Sequence, residues 1–159
     1  MRILLEVGFF AIFLVPFWQW RPSKQSGPPR CVVWIFWWII FRIMFGAGLI
    51  KIRGDESWRD LTALMAHFET QPLPNPLSRL FHNFPSWFLK GGVLANHIVE
   101  LIVPFLYFGF PIMRLVGAIS TILFQSVLVY SGNLSFLNYL TIVACIPLIA
   151  DRYWRVIGP

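Results

Sequence analysis

The chain has 159 residues, of which 57% are hydrophobic and 13% charged, and its formal net charge is +6. Soluble domains average about 45–50% apolar and about 25% charged residues, so this composition excludes an ordinary soluble domain and predicts an integral membrane protein. The basic residues lie in short polar gaps between apolar runs, where membrane proteins place Lys and Arg. We therefore expect membrane lipid as a partner and no nucleic acid.

Five apolar runs predict an all-α fold, a polytopic transmembrane helical bundle in which residues 1–159 form a single membrane domain. A helix needs about 20 residues to cross the hydrocarbon layer, and the first three runs meet this length. The last two runs are shorter and lie close together, a pattern typical of a tight helical hairpin. The predicted helices cover approximately residues 3–20, 31–50, 89–110, 115–130 and 136–150.

The distribution of positive charge suggests an orientation in the membrane. The loop at residues 21–30 carries three positive charges and no acidic residue, which favours the cytoplasmic side. This orientation places the long polar loop, residues 51–88, on the lumenal or periplasmic side.

The long loop is predicted to contain an amphipathic helix followed by a proline-rich strut. Ser57 and Asp60 resemble a capping box, and a helix of about three turns starting there has one apolar stripe. That stripe consists of Trp58, Leu61, Leu64, Met65 and Phe68. Residues 71–76 are expected to be extended, because a residue that precedes a proline is driven away from helical geometry.

The start of the loop, KIRGDESWRD at residues 51–60, mixes three positive charges with three acidic residues. One interpretation is an ionic network that fixes the loop or contacts a polar partner. The other is a solvated edge of the membrane.

The third predicted helix contains Asn96, His97 and Glu100, which share one helix face because they are three and four positions apart. Ionisable groups at membrane depth are costly and commonly functional. They are expected to form a hydrogen-bond network that fixes helix packing, to line a polar cavity, or to take part in proton or metal chemistry. No second ligand pair has metal spacing, so we predict no metal and no cofactor.

Two further polar residues lie inside the predicted membrane helices. Arg42 is expected to pair with Glu6 or with Glu100, and loss of one member of such a buried pair costs about 3–5 kcal/mol. Gln125 is expected to form hydrogen bonds between helices.

One long segment is distinctive: residues 48–85 read GLIKIRGDESWRDLTALMAHFETQPLPNPLSRLFHNFP. It is accompanied by NHIVELIVPFLYF at 96–108, ILFQ at 122–125 and SGNLSFLNYLTIV at 131–143. These segments, within residues 46–151, resemble the lipase maturation factor family.

The resemblance implies a membrane-bound maturation or chaperone factor that assists folding, assembly and export of secreted lipases. It implies a lipase client and a location in the endoplasmic reticulum membrane of a eukaryote, or the inner or plasma membrane of a bacterium. Family members are longer, so the chain is expected to be a membrane-region fragment or a short, truncated member. The residues expected to structure the loop or contact a client are Lys51, Arg53, Asp55, Trp58, Arg59, Asp60, His67, Glu69, Gln71, Pro72, Pro74 and Asn75.

Two alternative functions belong to other classes. A fainter likeness in helical layout to the vitamin K-dependent carboxylase group suggests a membrane-embedded enzyme, with His97 as acid or base and Glu100 orienting it. A stripe formed by Trp34, Trp37, Trp38 and Phe41 suggests a scaffold that binds lipid or quinone. The maturation factor is the preferred interpretation, and an enzyme is not favoured.

Overall fold

The computed structural model describes residues 2–14, 28–68, 80–132, 136–150 and 153. Regular structure within these residues is entirely helical, which confirms the predicted all-α class.

Within the described ranges, three helices are long and apolar enough to cross a membrane: Arg30–Gly54, Ser86–Phe108 and Pro111–Ser131. Two shorter apolar helices cover Ile3–Ile12 and Phe136–Leu148. Each of the five predicted helices thus has a helical counterpart. Residues 15–20, the end of the first predicted helix, lie outside the described residues.

Helix α1 covers Arg2–Ile12 and packs on the first half of helix α2, Arg30–Gly54. A helix of 25 residues is roughly 37 Å long, which exceeds about 30 Å of hydrocarbon. Lys51 and Arg53 lie in the last turn of α2, where positive charge is favoured by the helix dipole. The last turn of α2 therefore extends to the membrane boundary and carries Lys51 with it.

The short helices of the loop differ from the sequence prediction. Helix α3 covers Glu56–Arg59 and helix α4 covers Ala63–His67, so the predicted single amphipathic helix is wrong. Leu61 adopts a positive φ of 59°, and the Thr62 N–H donates to the Ser57 carbonyl at 2.8 Å. This is the bond of a Schellman motif, which ends a helix.

The predicted cap and the predicted apolar stripe are corrected as well. Asp55, not Ser57, caps α3: its carboxylate accepts a hydrogen bond from the Ser57 N–H at 2.9 Å. Because the helix breaks at Leu61, the five stripe residues do not form one buried face and are all only half-buried. Ala63 is the buried residue of α4.

Helix α5 covers Ser86–His97 and continues as a π-helical turn, Ile98–Ile102, and a 3₁₀ segment, Val103–Phe108. The Val103 N–H donates to the Ile98 carbonyl, five positions earlier. Pro104 explains the change, because proline has no N–H and its ring clashes with the carbonyl four residues before it.

Helix α6 covers Pro111–Gly132, and helix α7 covers Phe136–Ala144 with a 3₁₀ turn at Ile146–Leu148. Both pack with α2 and the 3₁₀ end of α5 around one core. The core residues are Trp37, Ile40, Met44, Val103, Tyr107, Ala118, Ala144, Cys145 and Leu148.

Candidate functional site at the junction of loop and membrane helices

Three polar side chains meet where the loop leaves α2; we call Lys51, Asn96 and Glu100 the Lys51 cluster. The Lys51 ammonium donates to a Glu100 carboxylate oxygen at 2.5 Å and to the Asn96 side-chain carbonyl at 2.9 Å. The Asn96 amide donates to the other Glu100 oxygen at 3.1 Å. Asn96 and Glu100 are only 6% and 3% exposed, so the cluster is a closed and largely desolvated network.

A glycine brings the two helices close enough for this network. A Cβ at Gly48 would lie 2.7 Å from the Leu101 Cδ2 atom and 3.1 Å from the Glu100 Cβ atom, so α2 touches the π-helical turn there. Lys51 follows Gly48 by three positions and lies on the same helix face. The contact therefore directs the Lys51 side chain at Glu100.

Helix α3 covers the cluster through Trp58. The Lys51 ammonium lies 4.8 Å from the centroid of the Trp58 ring, within the range of a cation–π contact. The Trp58 carbonyl lies 2.9 Å from the His97 Nε2 atom. A carbonyl can only accept, so His97 donates from Nε2 and satisfies one of the carbonyls that a helix end leaves without an intrahelical partner. His97 thus ties α3 to α5.

Helix α4, like α3, packs against α5. The Cδ1 atom of Leu64 would lie 2.8 Å from a Cβ at Gly92, so the absence of a side chain at Gly92 makes room for α4. Burial, and next the positive charge of Lys51, lower the pKa of His67 below its ordinary value of 6.5. His67 is therefore biased toward the neutral form beside the cluster.

The remaining predicted loop residues have peripheral roles or lie outside the described residues. Arg53 is exposed, Asp55 caps α3, and the Asp60 N–H donates to the Glu56 carbonyl at 2.9 Å at the end of α3. Arg59 lies 3.6 Å from Glu56, with side chains 54% and 86% exposed, and such surface pairs contribute little. The residues outside the described ranges are Glu69, Gln71, Pro72, Pro74 and Asn75.

The other intramembrane polar residues form a second polar region. Arg42 donates a hydrogen bond to Glu6 and forms an ion pair with it, while Glu100 is taken by Lys51. Gln125 is buried, and its amide nitrogen lies 3.3 Å from the Met44 sulfur.

The residues on which the two alternative functions rest have other contacts. His97 bonds to Trp58 of α3, whereas Glu100 bonds to Lys51 of α2. Among the described residues, Glu100 therefore does not orient the His97 ring as the enzyme hypothesis requires. Trp37 is buried and donates to the Pro147 carbonyl at 3.0 Å, whereas Trp34 is 53% exposed. In the described part of the chain, no group of three or more His, Cys, Asp or Glu residues could hold a metal ion.

Two features of this region were not anticipated from the sequence. Gly48 governs the helix contact, and its signal is its position three residues before Lys51, in the GAG triplet of residues 46–48. The buried hydrogen bond between Tyr107 and Thr121, 2.6 Å long, depends on a contact between α5 and α6 that no local sequence pattern predicts.

The fold and the site define a helical integral membrane protein in which a buried ion pair joins two membrane helices, and a surface loop packs against them through Trp58 and Leu64. A family model described as the lipase maturation factor transmembrane domain matches residues 2–156. The chain therefore belongs to the lipase maturation factor family.

Relatives in this family share one-third to one-half of their aligned residues with the chain. Human (Homo sapiens) lipase maturation factor 1 is 53% identical over 141 residues, which is 88% of this chain and 25% of the relative. Lipase maturation factor 2 of Xenopus tropicalis is 37% identical over 155 residues, 95% of this chain and 22% of the relative. The chain thus spans no more than a quarter of these relatives' length. No solved structure matches the chain.

Proposed function

We propose that this protein is a membrane-bound maturation factor that assists the folding, assembly and export of secreted lipases. Support comes from its family and from the names of its relatives, lipase maturation factors 1 and 2. The proposed compartment is the endoplasmic reticulum membrane in a eukaryote, or the inner or plasma membrane in a bacterium. The loop of residues 51–88 then faces the lumen or periplasm.

In this proposal the loop is a docked platform, and the bond between His97 of α5 and the Trp58 carbonyl of α3, beside the buried Lys51–Glu100 pair, is the observation that carries it. Helices of four and five residues, such as α3 and α4, are too short to be stable alone. They persist because the contact of Trp58 with Lys51, the His97–Trp58 bond and the Leu64–Gly92 contact hold them against α2 and α5.

The platform leaves a polar face free for a client. Glu56 and Arg59 are exposed on α3, and Arg53, Asp55 and Asp60 are exposed beside it. A client chain that is still folding can meet this mixed-charge surface while the apolar side of the loop stays on the helices. We propose that these exposed residues contact the client and that Lys51, Trp58 and His67 hold the loop in place.

The test uses human lipase maturation factor 1 in which the aligned 141-residue segment is replaced by that of this chain. The chimera is expressed in cells that lack their own maturation factor, and secreted lipase activity is measured per amount of lipase protein. We expect the chimera to restore activity, and a version with a Gly-Ser linker in place of residues 56–67 to fail at equal membrane level. A chimera that does not restore activity contradicts the proposed function.

A further inference from the structure

A cavity of about 670 Å³ opens between α1, α2, α6 and α7 and reaches the π-helical turn at Glu100. Its volume is within the range of about 300–1,000 Å³ that is typical of small-molecule sites. Two ion pairs line it, Arg42 with Glu6 and Lys51 with Glu100. Because each charge has an opposite partner, the formal charge of these four side chains sums to zero.

Two buried amides on the cavity wall have atoms without a hydrogen-bond partner among the described residues. They are the Gln125 Oε1 atom, an acceptor, and the Asn138 Nδ2 atom, a donor. The two residues are 6% and 8% exposed. Unsatisfied buried polar atoms are unfavourable, so these two sites indicate a ligand that donates one hydrogen bond and accepts another. A hydroxyl group does both.

The depth of the amides argues for an uncharged ligand. Gln125 contacts Met44, which precedes Lys51 by seven positions on α2 and therefore lies roughly 10 Å deeper along the helix axis. The charges that line the cavity are already paired with one another, so none is free to compensate a phosphate-bearing headgroup for the hydration that it would lose there. An uncharged hydroxyl head avoids this cost.

The rest of the wall suits a hydrocarbon chain. Apolar side chains also line the cavity, among them Ile43, Ala47, Leu128 and Leu137. Burial of methylene groups against such a surface is favourable. The ligand is therefore amphiphilic, with a hydroxyl head and an apolar tail.

We propose that this cavity binds a neutral glyceride, a mono- or diacylglycerol, with its free hydroxyl between Gln125 and Asn138 and an acyl chain along α2 and α6. The site shares Lys51 and Glu100 with the Lys51 cluster, but its two amides lie on α6 and α7, and it does not depend on a lipase client. It gives a membrane maturation factor a binding site for a lipid with the chemistry of an acylglycerol.

The test is photo-crosslinking of the chain in liposomes that contain a diazirine-bearing diacylglycerol. We expect labelled peptides to map to residues of α2, α6 and α7 around the cavity. Matched diazirine probes built on phosphatidylcholine and phosphatidic acid should label these peptides much more weakly. Equal labelling by a phospholipid probe, or labelling spread evenly over all lipid-facing helices, overturns the proposal.

Two independent variants of the cavity sharpen this test. Gln125→Leu with Asn138→Leu removes the hydrogen-bonding atoms at similar volume, and we expect labelling to fall about tenfold. Gly46→Leu places a side chain in the cavity from a position where a Cβ meets no atom within 4 Å, and labelling should fall as well. The control is Ser126→Ala on α6, whose hydroxyl bonds to the Ile122 carbonyl. Undiminished labelling in both cavity variants, with thermal unfolding like the parent's, refutes the site.

Discussion

Replacement of Lys51 by Met is predicted to destabilise the protein more than replacement of its partner Glu100 by Gln. Met retains most of the length of the lysine side chain but leaves the Glu100 carboxylate, whose side chain is 4% exposed, without a counter-charge. Breaking a buried pair in this way costs about 3–5 kcal/mol. Because the Lys51 side chain is 24% exposed, we expect the lower end, about 3 kcal/mol.

The reverse change is milder. Glu100→Gln leaves a lysine whose flexible stem can carry the ammonium group into water, so we expect a loss of about 1 kcal/mol. The double variant leaves no buried charge and should lose far less than the sum of the two single variants. The difference is the interaction energy of the pair, about 2 kcal/mol.

The assay is thermal unfolding in detergent micelles, with a double-mutant cycle. A loss of 3 kcal/mol corresponds to a decrease in Tm of about 6–12 °C for a chain of this size. Arg53→Met is the matched control, because Arg53 is a basic residue of the same helical turn that is exposed, and we expect less than about 0.5 kcal/mol. Additive single variants, or an equal effect of Arg53→Met, would refute the assignment of Lys51 and Glu100 as a buried pair.

Three further predictions concern other contacts. Gly48→Ala should lower stability by about 1–3 kcal/mol in the same unfolding assay, because its Cβ would lie 2.7 Å from Leu101. The control Gly46→Ala, with open space at its Cβ, should be neutral or stabilising. Equal effects of the two changes would contradict the close approach of α2 to the π-helical turn. The lowered pKa of His67 means that the native state binds fewer protons than the unfolded state, so its stabilising contribution is complete above about pH 6.5 and is lost as pH falls below that value. The decrease in Tm between pH 7.5 and 5.5 should be smaller in His67→Gln than in the parent protein. An equal decrease in both would show that His67 does not cause it. Tyr107→Phe should cost about 1 kcal/mol by removing a buried hydrogen bond, and a fully stable variant would contradict that bond.

Hydrophobic runs were sufficient to predict the all-helical class, and three of the predicted helices coincide with helices that are long and apolar enough to cross a membrane. The apolar stretches and their polar gaps are local features, and helix formation in a membrane follows directly from them. The π-helical turn at Ile98–Ile102 was not predicted, although Pro104 was a visible signal for an irregular helix at that place.

The loop shows where a local pattern was misleading. Ser57 and Asp60 gave a plausible cap, but Asp55, two positions before Ser57, accepts a hydrogen bond from the Ser57 N–H, and the helix begins at Glu56. Leu61 is an unusual residue for a positive φ, so the sequence contained no turn signal such as Gly or Asn. The tertiary contacts of α3 and α4 with α5 override the local preference for one continuous helix.

The sequence indicated which charged residues lie within the membrane helices, but not which of them pair with each other. Arg42, Glu100 and Glu6 were recognised as intramembrane charges, and two partners were left open for Arg42. The choice depends on which helices touch: α1 packs on α2 and supplies Glu6, whereas Gly48 brings the π-helical turn to Lys51. Such contacts join residues 36 and 49 positions apart, which no local spacing encodes.

In the proposed function, lipase maturation requires the loop to be docked on the membrane helices, where Trp58 of the loop packs on Lys51. Exchanging the charges of the buried Lys51–Glu100 pair tests this requirement. Secreted lipase activity is measured for the chimera with Lys51→Glu, with Glu100→Lys, and with both changes. We expect each single change to abolish activity at equal membrane level and the double exchange to restore a substantial part of it. Full activity in the single variants, each with a measured loss of stability, would contradict the claim.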